Sequence, residues 1–208
     1  MEIAQELLQY DVSRETNEKL TAFVSLLTEW NAKMNLVSKN SLEDVWMRHI
    51  LDSLQLIKYI PQNTKILLDI GSGAGFPALV LAIVMQEKMP TAKWILIESI
   101  TKKTVYLNDV CAKLNLENVL VENNRVENLQ FKNIDLITAR AVAALDILCG
   151  YAYGIAGAKA KMLLLKGRTY EEEICSAKQK WNFDYSVSPN AYGSDGVILQ
   201  IDNLRKRR

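Results

Sequence analysis

Five short apolar runs, KILLDI (65–70), KWILIES (93–99), VLVE (119–122), IDLITA (134–139) and KMLLLK (161–166), punctuate the chain, and helix-like segments separate them. Their apolar residues are nearly continuous rather than alternating, so both faces of each strand must be covered. Strands of that kind, spaced by helices, pair in parallel, with the helices packed on either side of one sheet. The pattern changes once more near the end. In YSVSPNAYGSDGVILQID (185–202) two strand-like pieces flank Ser194-Asp195-Gly196, which predicts a hairpin giving one sheet edge an antiparallel finish.

Residues 1–60 read differently. Leu20, Phe23, Val24 and Leu27 recur at the spacing of an amphipathic helix, and a second helix is expected from Ser41, with Ser41 as cap, Asp44 three residues on and Ile50, Leu51, Leu54 and Ile57 on its apolar side. The expected organisation is therefore an N-terminal helical extension, 1–60, followed by an α/β domain, 61–208. Acidic residues outnumber basic ones 9 to 6 in the extension, while the remainder carries 19 basic against 15 acidic, ending in Arg205 to Arg208. A terminal basic tetrad of this kind reads first as a solvated tail and only second as a polyanion contact. Cys111, Cys149 and Cys175 are odd in number and far apart, which argues against a disulfide framework or a zinc site and for buried thiols in a reducing compartment. The acidic start lacks a signal-peptide pattern and no apolar run reaches membrane-spanning length, so a soluble cytoplasmic protein is expected.

The first run leads directly into glycines, in LLDIGSGAGFPALVLA (67–82). A glycine turn at the carboxyl end of a strand, opening a helix, lets backbone N–H groups approach a ligand. Gly71, Gly73 and Gly75 form G-x-G-x-G, and the sixth place of the dinucleotide fingerprint G-x-G-x-x-G is taken by Phe76. With Asp69 just before the turn, a nicotinamide or flavin site fits poorly. The D-x-G-x-G-x-G stretch, followed by Glu98 at the end of the second strand, resembles the signature of class I S-adenosylmethionine-dependent methyltransferases. That resemblance implies a Rossmann-like, mostly parallel seven-stranded sheet, with the glycine loop at the amino acid part of the cofactor and Glu98 on its ribose. A purely structural glycine turn in another α/β protein is the alternative.

Further segments narrow the resemblance. LTEWNAKMNLVS (27–38), RHILDSL (48–54), DIGSGAGFP (69–77), ESITKK (98–103), NRVEN (124–128), TARAVA (138–143) and LLLKG (163–167) occur together and in order. The set resembles the RsmG (GidB) family of bacterial 16S ribosomal RNA guanine-N7 methyltransferases. Ala78 departs from the pattern, since the family commonly has glycine there. The resemblance implies cofactor contacts from Gly71, Gly73, Gly75 and Phe76 in the turn, Glu98 and Ser99 after the second strand, Val126 and Glu127 around the adenine, and Arg140 after the fourth strand. It also implies small-subunit ribosomal RNA, alone or in a particle, as the partner.

The residues themselves leave several of these roles open. Phe76 either lies over ligand or plugs the core, Glu127 alone reads as a solvated loop charge, and Arg140 suits either a ligand carboxylate or phosphate or a salt bridge to Asp69 or Glu98. Arg48 reads first as the i, i+4 partner of Asp52 and second as an RNA contact. Lys102, Lys103 and Lys166 are candidates for RNA phosphate contacts, with a solvated face as the other reading of the lysine pair. No Asn/Asp-Pro-Pro-aromatic motif or cysteine follows the fourth strand, as amino-directed or pyrimidine C5-directed methyltransferases would need. His49 is unsuited to metal ligation or base chemistry, so no catalytic base, nucleophile or metal is expected. A different acceptor, or a ribosome-associated RNA-binding protein without turnover, are the competing readings.

Overall fold

A computed structural model describes residues 3–192 and 195–207; Ser194 of the expected hairpin turn and Arg208 of the basic terminus lie outside the described residues. The five apolar runs form the parallel strands β1 (Ile66–Ile70), β2 (Lys93–Glu98), β3 (Val119–Asn123), β4 (Leu136–Arg140) and β5 (Lys161–Lys166). β6 (Trp181–Pro189) and β7 (Val197–Lys206) are the antiparallel finish, giving the order β3-β2-β1-β4-β5-β7-β6. The chain steps outward from β1 to β3 and returns to β4 on the other side of β1. Such a reversal opens a crevice at the carboxyl ends of β1 and β4, where open α/β sheets bind ligands.

Helices α5 (Ala78–Met85), α6 (Thr101–Lys113), α7 (Leu145–Ala156) and α8 (Tyr170–Ala177) connect the strands. All eight residues of α5 are buried. A helix apolar on every side needs cover on every side, and the N-terminal segment provides it. α2 (Arg14–Asn31), capped by the Ser13 hydroxyl accepting from the Thr16 N–H, buries Leu20, Phe23 and Leu27 completely in the same core as Leu79, Ile83, Tyr106 and Leu107. Each such side chain contributes about 1.5–3 kcal/mol. A second core, with Leu68, Ile97, Ile137, Leu148 and Leu199, fills the other face of the sheet.

The second N-terminal helix departs from expectation. Ser38, not Ser41, is the cap: its hydroxyl accepts from the Ser41 N–H, and the helix that follows α1 (Ile3–Leu8) and α2, α3 (Lys39–Glu43), ends at Asp44. The chain then makes a π-helical turn, Trp46–Leu51, that runs into the short α4 (Asp52–Leu54). Two further expectations change. Cys111 and Cys149 are buried but Cys175 is exposed, on the outer side of α8. Arg205 and Lys206 belong to β7, and Arg207 is held by its N–H on the Lys180 carbonyl (2.8 Å), so these three cations are solvent-exposed as expected but carried by the fold and not by a loose tail. No described helix is long and apolar enough to cross a membrane.

Candidate active site

The glycine turn starts where β1 ends, and its three glycines serve different ends. All have positive φ, 69° at Gly71, 56° at Gly73 and 91° at Gly75. A Cβ on Gly71 would lie 2.7 Å from Val142 and one on Gly75 2.5 Å from Leu79, whereas one on Gly73 meets nothing closer than 3.7 Å. Packing of the protein on itself therefore demands Gly71 and Gly75, while Gly73 presents bare backbone beside open space. The turn is tied to β2 through Glu98, which is 5% exposed. Its two carboxylate oxygens accept from the Gly73 N–H (3.0 Å) and the Ile100 N–H (2.8 Å).

Behind the turn, Asp69 is fully enclosed. One carboxylate oxygen accepts from the Thr138 hydroxyl at 2.6 Å and the other has no partner. Burial outweighs the Thr138 bond, the nearby Ser72 hydroxyl and the Arg140 charge, and pushes its pKa up to about 7.

Two adjoining pockets line the carboxyl edge of the sheet. Gly71 to Ala74, Phe76, Glu98, Ser99 and Arg140 to Val142 bound a cleft of about 350 Å³, with Leu36, Val37 and Lys103 as the opposite wall. Asn31 builds that wall, its side-chain carbonyl accepting from both the Leu36 and Val37 N–H groups at 2.9 Å. Past Val142 a pocket of about 140 Å³ is lined by Glu98, Ser99, Val126, Glu127 and Tyr151, whose hydroxyl donates to Glu127 at 3.1 Å. The expected residues Gly71, Gly73, Phe76, Glu98, Ser99, Val126, Glu127 and Arg140 thus border one connected crevice. Gly75 supports the turn from beneath without lining it.

Phe76 and Arg140 belong to a stack reaching into the N-terminal core. The Phe76 ring, 4% exposed, meets Phe23 edge-on at 5.5 Å and lies parallel to His49 at 4.6 Å, with the Arg140 guanidinium 5.0 Å from its centroid. Arg140 bonds neither Asp69 nor Glu98. Its Nη1 donates to the Asp52 carboxylate (3.0 Å) and the Arg48 carbonyl (3.2 Å), and its Nη2 donates to His49 Nδ1 (2.8 Å). Since a guanidinium only donates, His49 accepts on Nδ1 and is neutral. Burial and the Arg140 and Arg48 charges depress its pKa to about 3. Asp52 is consequently the partner of Arg140 and not of Arg48, because a π-helical turn hydrogen-bonds i to i+5 and displaces the i, i+4 neighbour. Asp52 also accepts from Gln55 (3.0 Å) and Asn190 (2.6 Å).

On the far side of Arg140 a wider, polar cleft of about 910 Å³ opens, lined by Asp44, Arg48, Asp52, Arg140 to Ala144, Lys166, Glu173, Asn190 and Tyr192. Lys166 is mostly buried there, paired with Glu173 and donating to the Ala143 carbonyl at 3.2 Å, so its charge is already balanced within the chain. Lys103 borders the cofactor-sized cleft and Lys102 is exposed beside it at the start of α6. Ala141, at φ 55°, turns the chain between the two clefts. Nothing in the sequence marks Val142, Tyr151 or Asn31 as site residues, whereas the lone Asp52 within RHILDSL signals a buried charge that needs a partner. No His/Cys/Asp/Glu group among the described residues could hold a metal ion.

Comparison with known proteins places this architecture. The GidB family model, described as rRNA small subunit methyltransferase G, matches residues 16–196. A ribosomal RNA small subunit methyltransferase G from Cereibacter sphaeroides is 38% identical over 198 residues, covering 95% of this chain and 96% of that protein. One from Rickettsia akari is 40% identical over 196 residues, covering 94% and 98%. Among solved structures, a SAM dependent methyltransferase from Aquifex aeolicus aligns with TM-score 0.59 at 16% identity over 86% of this chain and 97% of its own. A ribosomal protein L11 methylase from Lactobacillus delbrueckii aligns with TM-score 0.59 at 12% identity over 75% and 78%; these two likenesses concern the fold.

Proposed function

We propose that this chain, which belongs to the GidB family of rRNA small subunit methyltransferase G proteins, transfers the methyl group of S-adenosylmethionine to N7 of a guanine in small-subunit (16S) ribosomal RNA. The observation that carries the reading is one crevice in two parts. A cofactor-sized cleft with a glycine turn and an acidic wall shares Arg140, Ala141 and Val142 with a wider polar cleft open to solvent. Methyl donor and acceptor can therefore meet end to end at those residues.

The residues present suit the cofactor. Gly73 offers backbone without a side chain, and the Glu98 carboxylate, with two of roughly four acceptor positions in use, has capacity for the ribose hydroxyls, with Ser99 adjoining. Val126 and Glu127 would bracket the adenine. Arg140 spends three of its five N–H donors on Asp52, Arg48 and His49, leaving two for the carboxylate of the amino acid part. S-adenosylmethionine supplies a methyl group already activated on a sulfonium. Guanine N7 has an in-plane lone pair and no proton, so the chain has only to align the two reactants and exclude water. This agrees with a site whose one imidazole is held neutral as an acceptor for Arg140 and whose cysteines lie outside the clefts.

The test is tritium transfer from labelled S-adenosylmethionine into purified small ribosomal subunits, followed by borohydride and aniline treatment of the extracted RNA. Label in RNA with cleavage at a single position is expected, because an N7-methylated ring loses its glycosidic bond after reduction. Label in protein, RNA that resists cleavage, or no transfer would overturn the reading.

A further inference from the structure

The basic end of the chain is built into the fold at the edge of the sheet remote from the crevice. Two adjoining depressions of about 480 and 610 Å³ there share Asp184, Asn203 and Arg205. Their lining holds five cations, Lys159, Lys161, Lys178, Arg205 and Arg207, against two carboxylates, Asp184 and Asp202, in a protein whose whole net charge is +1. All five cations are exposed, and only Lys161 has a carboxylate partner among the described residues, Asp202 at 3.2 Å. Asp184 is engaged by the Asn203 amide at 2.7 Å. An aromatic platform adjoins them: Tyr185, 45% exposed, packs edge-on against Phe183, with the Lys178 ammonium 4.3 Å from the Tyr185 ring centroid.

We propose that this edge is a second RNA-binding surface, in which Lys159, Lys178, Arg205 and Arg207 hold phosphates and Tyr185 stacks a base. Exposed cations without carboxylate partners, one of them seated beside an exposed aromatic ring, suit a nucleic acid strand, whose phosphates and π-faces both find partners there. The cost of ordering a loose tail does not arise. Arg205 is fixed in β7, and Arg207 is anchored by its N–H on the Lys180 carbonyl (2.8 Å) and its guanidinium on the Lys178 carbonyl (3.0 Å).

The position of the surface says what kind of acceptor uses it. β5 runs from Lys161, at the patch, to Lys166, at the wide cleft, a span of about 17 Å at ~3.3 Å per residue. That exceeds the screening length of about 8 Å at physiological salt, so the patch acts through contacts of its own and not through its field at the crevice. At about 3.4 Å per stacked nucleotide, some five nucleotides separate the two places. A mononucleotide cannot touch both, and a folded ribosomal RNA can. The inference rests on the proposed RNA acceptor and deepens it.

The experiment compares two double variants, Arg205→Gln with Arg207→Gln, and Lys159→Gln with Lys178→Gln, on deproteinised small-subunit rRNA and on intact small subunits. The second pair makes no backbone-anchoring side-chain bond and guards against a folding artefact. Each pair is expected to weaken rRNA binding about tenfold near 0.15 M salt and to flatten the slope of log affinity against log salt by about 1.4. The KM for RNA should rise while kcat and the affinity for S-adenosylmethionine stay unchanged. Unaltered binding and salt slope in both pairs would overturn the proposal, as would a loss confined to intact subunits, which would assign the patch to a ribosomal protein. Direct binding separates this from the activity: rRNA bound through the patch but never methylated refutes the proposed function alone, and wild-type protein that binds no rRNA refutes both.

Discussion

Replacing Asp69 by Asn should make the protein less sensitive to pH and more stable above neutrality. Asp69 is 1% exposed, one of its oxygens has no partner, and burial raises its pKa to about 7 against an ordinary 3.8. The sign follows from proton counting. Between pH 3.8 and 7 the folded chain keeps the proton that the unfolded chain has lost, so stability is highest below that window, falls as pH rises through it, and levels off above it. Each unit is worth 1.36 kcal/mol, so the wild type should lose about 2.5 kcal/mol between pH 5 and 8. Asn has nearly the same shape, can still accept from Thr138 and does not titrate. Urea unfolding at pH 5, 6, 7 and 8 would measure both proteins, and the difference between the two profiles is the quantity to read. His49 acts in the opposite sense, since its depressed pKa costs stability as pH falls below 6.5 toward 3, and subtraction removes it. A difference between Asn and Asp that stays constant from pH 5 to 8 would refute the claim that Asp69 ionises at a cost.

Gly73→Val should lower S-adenosylmethionine affinity at least a hundredfold by calorimetry, because a branched side chain at φ 56° is strained and fills the open flank of the turn; normal affinity would show that the turn is not the cofactor loop. Asp52→Ala leaves the Arg140 guanidinium, 19% exposed, without its carboxylate, at a cost of about 3–5 kcal/mol; a loss below about 1 kcal/mol in urea unfolding would mean that the pair behaves as a solvent-exposed one. Lys102→Ala should weaken rRNA binding and flatten its salt dependence with S-adenosylmethionine affinity unchanged, and equal binding across a salt titration would place Lys102 on a solvated face.

The sheet was legible because its strands are nearly unbroken apolar runs, and the turn because three glycines follow one of them directly. Glu98 could be found for the same reason, as the acid closing the next strand. What sequence spacing could not supply were contacts made across the fold. Arg140 and Asp52 stand 88 residues apart, and the local pattern favoured Arg48 as partner on the premise of a regular helix; the π-helical turn removes that premise. Ser38 and Ser41 are both acceptable caps in isolation, and only the place where the chain meets the core decides between them. Asn31 reads as an ordinary polar residue at a helix end, since its role is to fold the following segment back onto the cleft. The basic terminus reads as a loose tail because a run of charges gives no sign that it continues a strand, although its side chains are exposed as a tail's would be.

The N-terminal helices tie the glycine turn and the Arg140 guanidinium to the integrity of the core. α5, which carries the glycine turn on its leading end, has no polar face and cannot stand against water, so α2 and α4 must cover it. The same cover brings His49 onto Phe76 and Asp52 onto Arg140. One packing event thereby buries the helix behind the turn and fixes the direction of the guanidinium in front of it. A neutral histidine suits this arrangement better than a charged one, because an imidazolium beside Arg140 and Arg48 would repel both and lose the acceptor that Arg140 needs. The imidazole is thus a positioning group: it holds the arginine at the junction of the two clefts while its own chemistry is switched off by burial.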